Sequence, residues 1–175
     1  MNSPPSGIGS VTPSAGAFTT LSATGTVTVP SGTTFNQPNI VGVTSNTAAA
    51  VGSVGETRSS STAAASISNA TTANATSISL PAGIWAVQGM ASVVPAGQLQ
   101  SMTVGVSTVS ITLGAFGTRT IVSPTSTAAT GFSDEFSSPV VILPLATTTT
   151  VYAVVNCTFT STATAAGFIT ATRIH

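Results

Sequence analysis

The sequence predicts an all-β protein: an extended N-terminal arm followed by an antiparallel, jelly-roll-like β-sandwich. Three observations predict it. Charged side chains make up 3% of the 175 residues, against about one quarter in an ordinary soluble domain. Thr, Val and Ile recur with period-two alternation, which suits a pleated and half-buried surface. Gly and Pro break that alternation at short intervals, and no stretch carries a helical period. The length accommodates one ordinary domain and an arm.

The arm is residues 1–50. It is rich in Gly, Pro, Ser and Thr, and Ile8, Val11, Phe18 and Leu21 are isolated apolar anchors along it, with Val27, Val29, Phe35, Ile40 and Val41 beyond. Such a segment cannot bury these side chains against itself. It can do so against copies of itself or against a groove on a scaffold, ordering as it binds. Ile8, Val11, Phe18 and Leu21 are therefore the expected attachment residues.

The turn signal "VGSVGE" opens the second region, residues 51–175. Expected strands follow at Val54–Ser60, Ala63–Ser68, Ala75–Leu80, Ile84–Val94, Ser101–Thr108, Ser110–Gly114, Thr118–Ser123, Pro139–Leu145, Thr149–Ser161 and Ala165–Ile174. Pro81, Gly83, Pro95, Gly97, Pro124 and Gly131 punctuate them. In "TVYAVVNCTFT" one face carries Val151, Ala153, Val155, Cys157 and Phe159, the other Tyr152, Val154, Asn156 and Thr158. Many short strands without a credible helix indicate two packed sheets. Trp85, Tyr152, Phe159 and Phe168 are the large side chains expected in the core or in contacts between copies.

The charges set limits on function. Arg58, Arg119 and Arg173 stand against Glu56, Asp134 and Glu135, for a formal net charge of zero. A nucleic-acid partner is not expected without a basic patch. Stretches free of charge are threaded with Ser, Thr, Asn, Gly and Pro, so no membrane-spanning segment is expected, and "MNSPPSGIGS" lacks the features of a secretion signal. A surface this neutral is expected to be covered by copies of the chain or by a larger assembly. Glu56 and Arg58, two residues apart, suggest an ion pair joining strands or subunits.

Catalytic chemistry finds little support. Asp134–Glu135 is the adjacent carboxylate pair, read as a solvated loop tip rather than as the two acids of a glycosidase. His175 has no scaffold to orient it as a base. Cys157 reads as a buried small hydrophobe. The triplets at Asn69, Asn74 and Asn156 have the glycosylation pattern by composition. Neither an enzyme nor a cofactor is expected.

"IGSVTPSAGAFTTLSATGTVT" resembles a Gly–x–Phe–Thr–Thr–Leu segment of fibre-like and head-decorating proteins of tailed bacteriophages. "VGETRSSS", "ANATSISLPAGIWAVQGMASV" and "TTTTVYAVVNCTFTSTATAAGFITATRIH" are similar to a small β domain of phage virion proteins, with Pro95–Leu145 matching loosely. The resemblance implies a homotrimer and a virion location, on the capsid surface or tail, after assembly in the host cytoplasm. The implied role is a capsid decoration (cement) or head-fibre protein that binds the major capsid protein or another virion protein through its arm. The alternative is a tail-fibre or tail-tip protein contacting host surface glycans.

Overall fold

The computed structural model describes Thr24, residues 49–123 and residues 133–175. The chain divides into two units, Met1–Gly42 and Val43–His175, and the fold that follows is that of the second. Among the described residues the regular structure is all strand: β1 Thr57–Ile67, β2 Ala73–Leu80, β3 Gly83–Pro95, β4 Leu99–Ser107, β5 Arg119–Val122, β6 Asp134–Ser137, β7 Val141–Leu145, β8 Thr149–Phe159 and β9 Ala163–Arg173.

The strands form two antiparallel sheets, in the orders β1-β9-β3-β6, with β7 also on β3, and β2-β8-β4-β5. The chain changes sheet at each connection except those from β4 to β5 and from β6 to β7. This is jelly-roll connectivity, with one of its usual eight strands split in two. The split has a local cause. β6 pairs with Met90–Val93 of β3 and β7 with Gly83–Val87, and Pro139 lies between them. Buried Ser138 spans the gap. Its hydroxyl accepts from the Gly89 amide at 3.0 Å, and its own amide donates to the Gly89 carbonyl at 2.8 Å.

Alternation along each strand sends one face inward. From β3, Trp85, Val87, Ala91 and Val93 are buried; from β8, Val151, Ala153, Val155, Cys157 and Phe159. The core forms two clusters, one around Leu99, Met102, Cys157 and Phe159, the other around Leu80, Trp85, Val151 and Ile169. Gly89 and Gly167 stand at the waist between them. A Cβ on Gly89 would meet the Cβ of Ala153 at 2.9 Å, and one on Gly167 would overlap the Ala75 backbone. Glycine is required here because the sheets approach too closely for any side chain. Burial raises the Cys157 thiol to about 12, which keeps it protonated and inert.

Three expectations need correction. Val54–Ser60 and Ala63–Ser68 are one strand, β1, whose pairing with β9 shifts at a bulge between Thr62 and Ala65. Ser110–Gly114 is not a strand; side-chain hydrogen bonds hold it as a loop. Asp134 and Glu135 lie on β6 rather than at a loop tip, because Phe136 packs on the core and draws the segment into pairing with β3.

Gly167→Ala should lower stability by about 1–3 kcal/mol, the usual cost of overpacking a close-packed site. Denaturant midpoints of the variant and parent check it. A change below about 0.5 kcal/mol, the scale of a neutral surface substitution, would mean the waist has room to spare.

Candidate assembly site

The residues just before β1 enter the sandwich through a charged clasp. Glu56 is 3% exposed, and its carboxylate collects three donors. The Gly52 amide donates to Oε2 at 2.8 Å, Arg58 Nε to Oε1 at 2.6 Å, and Arg173 Nε to Oε2 at 3.0 Å. Arg173 lies opposite Trp85 in the β3–β9 register. Its guanidinium sits 4.4 Å from the centroid of the Trp85 ring and donates through Nη1 to the Ala82 carbonyl at 2.7 Å. The Trp85 indole N–H donates in turn to the Pro81 carbonyl at 2.9 Å. A side chain at Gly83 (φ +143°) would collide with Arg173 Nη1.

Backbone bonds close the clasp. The Gly55 amide donates to the Arg173 carbonyl and the Arg173 amide to the Glu56 carbonyl, both at 2.8 Å, and the Ile84 amide donates to the His175 carbonyl at 2.9 Å. The entry segment, the β2–β3 turn and the end of β9 are thus tied to one another. The Gly52 amide, followed by the two arginines, pulls the Glu56 carboxyl from its ordinary value near 4.5 down to about 2. A buried carboxylate would otherwise rise; donors on both oxygens reverse that. Beside the clasp, a hollow of about 450 Å³ is lined by Arg58 of β1, Ile78 of β2, Ala49 and Val51.

The clasp holds three of the six charged side chains. Arg119 on β5, Asp134 and Glu135 remain for the rest of the surface. Asp134 pairs with Val93 and Glu135 with Ser92, so the two carboxylates fall on opposite faces of β6 and do not converge on one substrate. Among the described residues no group of three His, Cys, Asp or Glu side chains converges, and no helix is long and apolar enough to cross a membrane.

The exterior carries the apolar groups instead. Ser107 to Gly117 fold back over the four-stranded sheet. Asn74 on β2 pins this loop, donating from Nδ2 to Ser110 Oγ and accepting the Ile111 amide at Oδ1, each at 2.8 Å. Between Asn74 and Gly105 in register lies Val154 of β8, which faces outward and is nevertheless fully buried beneath the crossing. Ile111 is held at φ +54°, costly for a β-branched residue. Val109 and Ile111 stand exposed, and Phe116 is 99% exposed.

The four large side chains singled out in the sequence separate. Trp85 and Phe159 are core residues. Phe168 is exposed on the outer face of the five-stranded sheet, and Tyr152 is half-buried on the outer face of the other. Ile8, Val11, Phe18 and Leu21 lie outside the described residues. Glu56 pairs with Arg58 along its own segment and with Arg173 of β9, and the second pair is the one that joins strands. The glycosylation-type asparagines all bond within the domain: Asn69 accepts the Phe159 amide at 2.8 Å, and Asn156 donates to Thr72 Oγ1 at 3.2 Å. The Trp85–Arg173 stack and the Asn74 pin escaped sequence reasoning, since both depend on strand register.

No family model and no curated protein matches the chain. Among solved structures, similarity is found to a chain of infectious bursal disease virus, Gx strain, with 11% identity and a TM-score of 0.43 over 78% of this chain and 38% of that one. The VP2 subviral particle of infectious bursal disease virus gives 12% identity and a TM-score of 0.41, covering 78% and 37% of the respective chains. This chain spans well under half the length of either.

Glu56→Gln should lower the thermal midpoint at neutral pH. The folded-state carboxyl titrates near 2 and the unfolded one near 4.5, so the stabilisation is complete above about 4.5 and is lost as pH falls towards 2. Melting curves of parent and variant should differ most above pH 5 and converge near pH 2. A constant difference across that range would assign the effect to packing alone.

Proposed function

We propose that the chain is a structural, non-catalytic protein of a bacteriophage virion. It is a homotrimeric capsid decoration or head-fibre protein, with the arm of residues 1–50 binding the major capsid protein or another virion protein and the β-sandwich displayed outside. The clasp is the observation that carries this reading. Half of a very small set of charges is gathered, and two of them are buried, at the point where an uncharged, apolar-dotted segment joins the domain. Tension on that segment passes through Gly55 and Glu56 into Arg173 and β9, at the centre of a sheet. The remaining surface is almost neutral, as suits a protein that works inside an assembly.

Attachment would rest on multivalency. Three weak arms on one trimer act at high effective concentration, so each need contribute only a modest affinity. The sequence resemblance to phage virion proteins supports the same role; jelly-roll topology alone does not, since one fold serves many functions. No nucleic acid, membrane or cofactor enters this reading.

A tail-fibre or tail-tip role is the second reading, favoured by the Asn74-pinned loop that exposes Val109, Ile111 and Phe116 and would suit contact with a host surface glycan. Copy number separates the two. Decoration implies far more chains per particle than tail fibres, which staining of purified particles would resolve.

Co-sedimentation with particles lacking the protein tests attachment. Deleting residues 1–50 should abolish binding, and Phe18→Ala should weaken it strongly, since truncating a buried Phe costs about 3–5 kcal/mol. Changing Asp134 or Glu135 should have little effect. If the chain without its arm still binds, attachment lies on the sandwich and the decoration reading falls.

A further inference from the structure

The outer face of the five-stranded sheet has no partner within the described residues. Three long strands present it in register. Ser61, Phe168 and Met90 form one row, Ser66, Thr164 and Val94 a second, and Thr57, Thr172 and Ala86 a third, which Ile142 of β7 extends. Met90 and Phe168 are 40% and 41% exposed, and Ile142 is 53% exposed. Glu135, on the short strand β6, is the one charge on this face among the described residues.

The relief of the face suits a copy of itself. Apolar side chains rise at its centre, and a hollow lies at each end. One, about 520 Å³, is bounded by Val94, Pro95 and Thr164; the other, about 290 Å³, by Ile84, Pro144 and Leu145. A closed ring of three needs two complementary patches on each copy, and the knobs of one copy can seat in the hollows of the next. A single carboxylate, Glu135, offers a charged polymer little to pair with, whereas this chain is itself neutral. Its size is also sufficient. Strands β1 and β9 have 11 residues each. At ~3.3 Å per residue and ~4.8 Å between strands, four neighbouring strands present on the order of 700 Å². Each partner in a stable interface gives about 600–1,000 Å², a range that includes this face.

We propose that a second copy of this chain covers this face, with Phe168 and Met90 at the centre of the contact. The inference rests on the reading of a self-associating virion protein and identifies the surface through which the copies meet. The contact is apolar and Ser/Thr-lined, so it is insensitive to salt.

Light scattering of the full chain at micromolar concentration tests it, with Ser61→Arg, Phe168→Arg and the control Ser77→Arg. Ser61 is exposed beside Phe168, and Ser77 is exposed on β2 in the other sheet. The parent and Ser77→Arg should show a multiple of the 17.1 kDa chain mass, unchanged at high salt. Ser61→Arg and Phe168→Arg should fall to a single chain mass with unaltered circular dichroism. Ser61→Arg touches no core residue and decides the matter alone if Phe168→Arg fails to fold. A monomeric parent, or a Ser61→Arg protein that keeps the parent mass, overturns the proposal. Loss of particle binding with self-association intact would count against the virion reading and leave this one standing.

Discussion

Arg173 ties the entry segment, the β2–β3 turn and β9 together. Its guanidinium stacks on Trp85, bonds the Glu56 carboxylate and caps the Ala82 carbonyl, while its backbone holds Gly55 and Glu56. The side chain is 8% exposed. A cation so enclosed is tolerable only with its partner and its hydrogen bonds in place, so these contacts must form together. Arginine suits the task because its flat, weakly hydrated head can stack and donate at once, which lysine cannot do. The glycine at position 83 follows from the same demand for space.

From that point the architecture follows by packing. β9 lies between β1 and β3, so fixing its end sets the register of the three long strands. Their inner faces meet the other sheet closely at the waist, where Gly89 and Gly167 face Ala153 and Ala75, and the larger residues fill the two clusters on either side. Drawing charge inward leaves an exterior of Ser, Thr and scattered apolar groups. That neutral exterior links the energetics of the clasp to the assembly role proposed for the chain.

Much of this was legible in the sequence where alternation is strong. β2, β3, β8 and β9 are dense in Val, Ile and Ala at every second position, and these strands were read within a few residues of their bounds. Reading failed where side chains rather than periodicity decide. β1 is mostly Ser, Thr and Ala, so its bulge resembled a break. "SITLG" alternates like a strand, yet Asn74, distant in sequence, holds it as a loop. β6 carries a single core residue, Phe136, too little to show a period. The ion pairing of Glu56 was visible in the scarcity of charge. Its burial, and the stacking of Arg173 on Trp85, needed the β3–β9 register, which no local pattern encodes. The attachment residues proposed on the arm rest on sequence alone.

The clasp belongs to the cooperative core rather than to a fraying end. Native-state hydrogen exchange at the Gly55, Ile84 and Arg173 amides measures this directly. Each bonds a carbonyl of the clasp, and core amides exchange only through global opening, whereas frayed ends exchange at almost no cost. These three should exchange with the same opening free energy as the buried amides of β8. Exchange as fast as that of the exposed loop around Phe116 would contradict it.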